Sequence, residues 1–185
     1  MKKIVILFFI TLQMLIANPN SAFLTVKDLV TKKLHTQNRY FFCFGEKLEG
    51  AMCGIINEHN EIFFLTKRLK VAMFVVNEIS ISPDDRYISI VSVGEGHPVL
   101  QIFDLKEILN SYEYYDKKKI YSIGFINPYP GYISVEGWNG KNIILSSSVS
   151  LDKLNKKTRE VKQKEAGDEA KFEWNFRIDE IAKRE

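Results

Sequence analysis

Three histidines, His35, His59 and His97, carry the only imidazole side chains of this 185-residue chain, so any histidine-dependent chemistry must use one of them. His35 lies among lysines and His59 lies in a predicted turn, where a solvated histidine is the ordinary expectation. A metal site would need several histidine, cysteine or carboxylate ligands at defined spacing, and the sequence has no such cluster. We therefore expect no metal site.

Two short segments contain residue types that hydrolases use. Ser146, Ser147 and Ser148 form a run, but it lacks the flanking glycines of a nucleophile elbow. Asp84 and Asp85 could act as paired carboxylates, although a tight turn favours the same residues without any catalytic role. Glycine-rich phosphate-binding loops are absent from the sequence as well. We predict that the protein is not an enzyme and needs no cofactor.

The segment Gly94-Glu95-Gly96-His97, followed by Pro98, is the strongest candidate for a partner-binding loop. The two glycines permit positive φ and close approach to another backbone, while Glu95 and His97 offer a charge and a hydrogen-bonding ring. Pro98 would limit how far the loop can flex. The alternative is a plain hairpin connection, in which the glycines need no further function.

The first 22 residues indicate export. Lys2 and Lys3 precede an uncharged run of 14 residues at positions 4–17, which is too short for a spanning helix, and residues 18–21 (NPNS) then break it. We predict a signal peptide over residues 1–22, cleavage after Ala22 and a single periplasmic domain over residues 23–185. The alternative is an uncleaved membrane anchor. No second membrane-spanning candidate follows.

The chain has two cysteines, Cys43 and Cys53, both within the exported part. In an oxidising compartment such a pair favours a structural disulfide. The alternative is a free or redox-active thiol, but the Cys-x-x-Cys spacing of a redox pair is absent.

The charge balance argues against a nucleic-acid partner. Removing Lys2 and Lys3 with the signal peptide lowers the formal net charge from +3 to +1 (3 − 2). The densest basic run, at residues 153–164, is interleaved with Glu160, which is typical of a solvated segment rather than a phosphate-binding patch.

Residues 79–105 (ISISPDDRYISIVSVGEGHPVLQIFDL) have the pattern of strand, tight turn, strand, short loop and strand. Pro83 presets φ and the following aspartates hydrogen-bond their own backbone, so the chain reverses there. A weaker copy lies 45 residues later, where residues 132–135 match residues 87–90 and residues 127–131 occupy the corresponding turn. A repeat of this length suits a four-stranded propeller blade.

Alternation of apolar and polar residues predicts which side chains of this segment are buried, and it leaves Ser80 and Ser89 exposed. The predicted core residues are Ile79, Ile81, Ile88, Ile90, Ile102 and Leu105.

The remaining chain is predicted to be mostly short strands. Residues 23–34 have the spacing of an amphipathic helix, with Thr25 as its N-cap, and residues 105–109 suit one helical turn. Further strands are predicted at residues 39–46, 54–58, 61–66, 71–76, 119–126, 142–149 and 171–178. A closed propeller needs about four blades, more than this chain can supply. We therefore predict an all-β fold, a compact incomplete β-propeller-like domain of two to three antiparallel blades with a short N-terminal helix.

Two segments carry a resemblance to known families. The turn at residues 82–87 (SPDDRY) and the exit at residues 101–105 (QIFDL) resemble blades of WD-repeat and TolB-type propellers. The chain also resembles periplasmic immunity proteins that neutralise peptidoglycan amidase effectors of type VI secretion, in which a loop between two blade strands plugs the active-site cleft. By position that loop corresponds to residues 93–97, but the serines expected there are replaced by Gly-Glu-Gly-His. Residues 138–141 (WNGK) resemble a Trp-containing turn of that family.

The resemblance implies a periplasmic inhibitor whose partner is a secreted peptidoglycan hydrolase, the cognate effector. Neither nucleic acid nor, after signal cleavage, a membrane is an expected partner. The alternative function is a non-catalytic scaffolding or protein-binding module of the cell envelope.

Overall fold

The computed structural model describes residues 29–46, 50–65, 69–113, 119–149, 151, 160–166, 169–178 and 181. The predicted signal peptide over residues 1–22, and residues 23–28 of the predicted N-terminal helix, lie outside the described residues.

Three four-stranded antiparallel sheets make up the described part of the protein. In chain order the strands are β1 Val30–Lys33, β2 Tyr40–Glu46, β3 Gly50–Ile56, β4 Ile62–Phe64, β5 Val75–Ile81, β6 Tyr87–Gly94, β7 His97–Asp104, β8 Gly124–Ile126, β9 Ile133–Asn139, β10 Asn142–Ser147, β11 Glu160–Ala166 and β12 Glu169–Arg177, with helix α1 Leu105–Glu113 after β7. The N-terminal sheet has the order β1-β2-β3-β4, and the central sheet has the order β5-β6-β7-β8. The C-terminal sheet has the order β9-β10-β12-β11, so its last strand in the chain occupies an interior position. The all-β prediction is confirmed.

The predicted N-terminal helix is wrong where the structure describes it, because Val30–Lys33 forms strand β1. This strand pairs antiparallel with β2, and Val30 lies opposite Cys43. The β-branched residues Val30 and Thr31 suit a strand, and pairing with β2 outweighs the helical spacing of the apolar residues.

Helix α1 instead follows the central sheet at Leu105–Glu113, and it is longer than the single turn predicted there. Asp104 caps its start, since its Oδ1 accepts hydrogen bonds from the backbone N–H groups of Lys106 (2.9 Å) and Glu107 (3.3 Å).

The central sheet is covered on both faces. One hydrophobic cluster joins it to the N-terminal sheet and α1 through residues such as Phe41, Ile88 and Phe103. A second cluster joins its other face to the C-terminal sheet through residues such as Ile102 and Trp174. All six predicted core residues of the blade segment are buried, as expected.

The burial of the central sheet on both faces also explains why one exposure prediction is wrong. Ser89 was expected on an exposed face, but only 1% of it is accessible to solvent. Ser80 is half-buried, and its Oγ accepts a hydrogen bond from Trp138 Nε1 (2.9 Å). Alternation identifies the more apolar face of a strand, whereas a second sheet on the other face is a tertiary feature that alternation does not reveal.

The 45-residue sequence repeat does not correspond to a structural repeat. The turn after Ser82 joins two strands of the central sheet, whereas residues 127–132 lead from β8 of that sheet to β9 of the C-terminal sheet. The matched tyrosines differ accordingly, because Tyr87 is 8% exposed and Tyr132 is 71% exposed.

The predicted disulfide between Cys43 and Cys53 is present. The two residues lie opposite each other in the β2–β3 register, with their Cα atoms 4.1 Å apart, and both are buried. Disulfides are typical of proteins in oxidising compartments, so this one supports the expected export. Within the described ranges, no helix has the length and apolar character needed to cross a bilayer.

Candidate partner-binding site

The predicted binding loop is a two-residue hairpin turn. Strand β6 ends at Gly94 and β7 begins at His97, and these two residues lie opposite each other in the register. Both turn residues have positive φ, 52° at Glu95 and 81° at Gly96, as a type I′ hairpin requires. Pro98, expected to stiffen a loop, is buried within β7. The segment is therefore shorter and more regular than a loop that could enter a deep cleft.

Glu95 is an unusual residue for its place in this turn. Such positions favour asparagine, aspartate or glycine, because the left-handed region is unfavourable for longer side chains. Glu95 is also exposed, and Gly96 beside it has no heavy atom within 4 Å of an added Cβ. An outlying backbone conformation at an exposed tip motivates a functional hypothesis.

His97 packs against Tyr129, a residue outside the predicted binding loop. Its half-buried ring meets the Tyr129 ring edge-on, with 4.4 Å between the centroids and 79° between the planes. Tyr129 lies between Pro128 and Pro130, and its backbone N–H donates to Asn127 Oδ1 (3.1 Å). A tyrosine between two prolines cannot belong to a regular strand, and that local pattern was the signal that could have identified it.

Gly94 lies close to Met73 on the other side of the turn. A Cβ at Gly94 would lie 3.0 Å from Met73 Sδ, so the methionine side chain would have to shift by a few tenths of an ångström to admit a larger residue. The next two residues, Phe74 and Val75, are exposed, and Val75 pairs with Val93 at the same end of the central sheet. The turn is therefore flanked by Met73 on one side and by Tyr129 on the other.

We call this end of the central sheet the aromatic edge. It consists of the turn Glu95-Gly96-His97 and four exposed apolar residues: Phe74, Val75, Tyr129 and Tyr132. These four are most of the large hydrophobic residues that the described part of the chain exposes. The remaining one, Tyr121, precedes β8, whose first residue pairs with Ile102 away from the turn. Exposed apolar side chains gathered at one end of a sheet are typical of an interaction site.

Two carboxylates form a second polar cluster, between the central and C-terminal sheets. Glu78 Oε2 accepts a hydrogen bond from the Val135 backbone N–H (3.1 Å), which links β5 to β9. Burial raises the pKa of Glu78 above its usual value, and the nearby Glu136 carboxylate adds to this, while the Val135 hydrogen bond and Lys32 oppose it. This arrangement joins the central sheet to the C-terminal sheet.

The serine run has a structural role. Ser146 Oγ donates to Glu136 Oε1 (2.5 Å) and lies 2.7 Å from Ser134 Oγ. Ser147 Oγ accepts a hydrogen bond from Trp174 Nε1 (2.8 Å) and donates to the Val149 carbonyl oxygen (2.6 Å).

His35 and His59 have separate surroundings. His35 Nε2 lies 3.3 Å from the Ile81 carbonyl oxygen, and His59 is exposed with Nε2 4.0 Å from Glu58 Oε1. Among the residues that the structure describes, no three histidine, cysteine, aspartate or glutamate side chains are grouped as a metal ion would require.

No known protein family, curated protein or solved structure matches this chain.

Proposed function

We propose that the chain is a periplasmic inhibitor of the immunity type, which binds a secreted peptidoglycan amidase and blocks it with the aromatic edge. The observation that carries the proposal is the exposed Glu95-Gly96 turn with exposed apolar side chains on both sides, Phe74 on one and Tyr129 on the other. Tyrosine is enriched among the residues that dominate protein–protein binding energy, and exposed glycine turns permit close approach of a partner.

The aromatic edge is suited to inhibition because it is ordered before binding. Strands β6 and β7 pair along their whole length, and they are buried except at their ends, where Val93, Gly94 and His97 beside the turn are half-buried. The His97 ring packs against the Tyr129 ring, and Met73 lies close to Gly94. A surface that is already fixed loses little conformational entropy when a partner binds.

The strained position of Glu95 supports a binding role for its side chain. Asparagine or glycine would fit the turn with less backbone strain, so glutamate is costly there for stability alone. A negatively charged group at the tip is instead suited to a partner that presents a lysine or arginine.

The proposal includes an incomplete propeller as the framework, with the three sheets as its blades. Each sheet has four antiparallel strands, the number in a propeller blade. The first strands of successive sheets are neighbours, since β1 contacts β5 and β5 contacts β9, as innermost blade strands do around an axis. The C-terminal sheet departs from a simple blade because β12 lies between β10 and β11.

The decisive experiment uses the exported protein, purified from the periplasm, and the secreted peptidoglycan hydrolase encoded nearest to its gene. We expect calorimetry to detect a one-to-one complex, and we expect hydrolysis of isolated cell-wall sacculi to stop in the presence of the inhibitor. Absence of a complex, together with binding to an envelope-assembly protein, would favour the scaffolding alternative and overturn the proposal.

A further inference from the structure

We propose that Asn139 is a site of spontaneous deamidation, at which the backbone nitrogen of Gly140 closes onto the asparagine side chain. Asn139-Gly140 is the only Asn-Gly pair in the sequence, and it lies in the hairpin between β9 and β10. Asparagine is one of the thermally labile residues of proteins. The proposal concerns the chemistry of this hairpin and does not depend on the proposed function.

The hairpin presents both residues to solvent. Asn139 and Asn142 form the last pair of the β9–β10 ladder, so Gly140 and Lys141 alone make the turn. Gly140 has a φ of 57°, and primed two-residue turns require a positive φ at their first position. Asn139 and Gly140 are exposed, and Gly140 lies outside both strands. The attacking nitrogen is therefore open to water and is not part of the ladder.

The glycine leaves room for the ring to close. An added Cβ at Gly140 would have no heavy atom within 4 Å, so neighbouring groups do not crowd this residue. A side chain on the attacking residue would itself obstruct the approach of its nitrogen, and glycine has none. Residue type and surroundings therefore both favour attack at this position.

The reaction needs only water besides the chain itself. The Gly140 nitrogen forms a bond to Cγ of Asn139, the bond from Cγ to Nδ2 breaks, and the proton of the Gly140 N–H leaves with the released ammonia. Water then opens the cyclic imide at one of its two carbonyl carbons. Opening at Cγ gives aspartate, whereas opening at the main-chain carbonyl carbon gives isoaspartate, in which the chain continues through the side chain.

Isoaspartate would lengthen the backbone beside a residue that joins two sheets. Trp138 Nε1 donates to Ser80 Oγ (2.9 Å), and the Trp138 ring stacks on Tyr87 with 6.3 Å between the centroids. Trp138 also pairs with Ile143, next to the last pair of the ladder. A longer backbone and a new carboxylate at residue 139 disturb this end of the ladder, so the contact of Trp138 with the central sheet weakens.

Asn60 is the matched control within the same chain. It is exposed in the connection between β3 and β4 and has a φ of 63°, so it resembles the Asn139 hairpin in exposure and local backbone. The next residue is Glu61, which has a side chain, and its N–H donates to Asn57 Oδ1 (2.9 Å). Asn60 therefore lacks a free glycine nitrogen that could attack it.

Peptide mapping by mass spectrometry tests the proposal on the purified exported protein, incubated in mildly alkaline buffer. We expect Asn139 to be converted to a mixture of isoaspartate and aspartate, at least about tenfold faster than Asn60, which needs only a modest difference in barrier. The same incubation in denaturant is the reference. Conversion of residue 139 in the denatured chain but not in the folded protein would show that the hairpin protects Asn139, and it would overturn the proposal.

Two variants separate the products and their consequences. Asn139→Gln should resist conversion, because its longer side chain forms a less favourable ring, and Asn139→Asp carries the new charge on a normal backbone. We expect incubation to lower the Tm of the wild type by about 2–4 °C, the shift that a modest loss of stability gives in a chain of this size. Asn139→Gln should keep its Tm after incubation, and Asn139→Asp should melt with the fresh wild type. An equal fall in incubated Asn139→Gln would place the damage elsewhere and overturn the assignment to Asn139.

Discussion

Asp85 is bound to Thr36 through both the backbone and the side chain of the threonine. The Thr36 N–H and hydroxyl group each donate to Asp85 Oδ2 at 2.5 Å, and the His35 N–H donates to Oδ1 at 2.8 Å. Asp85 is buried and lies in the turn between β5 and β6, whereas His35 and Thr36 follow β1. One carboxylate therefore fastens the central sheet to the N-terminal sheet.

Replacement of Asp85 by alanine is expected to lower the free energy of unfolding by about 2–4 kcal/mol, because three donors lose a charged acceptor. Urea denaturation monitored by fluorescence measures the change. Asp85→Asn is the matched control, since asparagine tolerates the positive φ of 51° at this position and keeps one acceptor oxygen. The free energy of unfolding should fall less in Asp85→Asn than in Asp85→Ala. Equal stability of wild type and Asp85→Ala would contradict the assigned role.

The buried disulfide gives a second test. Replacing Cys43 and Cys53 together by alanine should lower the free energy of unfolding by about 2–3 kcal/mol, because the short closed loop no longer restricts the unfolded chain. Intact-mass measurement before and after alkylation checks that the wild-type thiols are oxidised. Thermal melts with and without reductant should differ for the wild type and coincide for the double variant. Two thiols that alkylate without reduction would sink the prediction.

The pKa of Glu78 predicts how stability depends on pH. Because burial raises this pKa in the folded protein above its usual value, folding favours the protonated carboxyl group. The stabilisation is complete below the unfolded pKa of about 4.5 and is lost as the pH rises through the folded pKa. Glu78→Gln keeps an oxygen that can accept a hydrogen bond from the Val135 N–H, and its side chain has no charge. The stability of this variant should therefore not fall as the pH rises through the pKa of Glu78.

Melts of the wild type and Glu78→Gln at pH 4 and pH 7 provide the measurement. We expect the variant to gain stability relative to the wild type as the pH increases. A gain that is the same at both pH values would show that ionisation of Glu78 is not the cause.

Replacement of Glu95, the strained residue of the hairpin turn, should change stability and partner binding in opposite directions. Glu95→Asn should raise the free energy of unfolding by about 1 kcal/mol, because asparagine adopts a left-handed conformation more readily than glutamate. The same change should weaken binding to the hydrolase, because the charge is removed. Calorimetry and thermal melts on one preparation report both effects. A variant that binds as tightly as the wild type would mean that Glu95 contributes nothing to the partner contact.

Local chemistry explains which features the sequence could predict. The turn after Ser82 depends on Pro83 and its aspartates, and the disulfide depends on two cysteines close together in a chain expected to be exported, so the local sequence predicts both. Strand β1 was mistaken for a helix because its identity depends on pairing with β2, which is not encoded by the spacing of Val30 and Leu34. Likewise, burial of Ser89 depends on a second sheet that covers the central one.

In the candidate site, too, the local sequence predicts some features, whereas others depend on contacts between distant parts of the chain. Gly94, Glu95, Gly96 and His97 were selected from their residue types, and the structure places them in one turn. Tyr129 was missed because its position beside His97 results from the order of β7 and β8 in the sheet, a contact across 32 residues of chain (129 − 97). The turn was expected to be longer because glutamate is not a usual signal for a two-residue hairpin.

The interior position of β12 determines when the C-terminal sheet can be completed. Strand β12 pairs with β10 on one side and with β11 on the other, so neither neighbour has its final partner until residue 177 has been synthesised. Until then β10 has an open edge, and the apolar face around Ile143 and Leu145 lacks the Trp174 and Phe176 side chains that cover it. The strands of the N-terminal and central sheets all precede residue 127, so they are synthesised before the strands of this sheet.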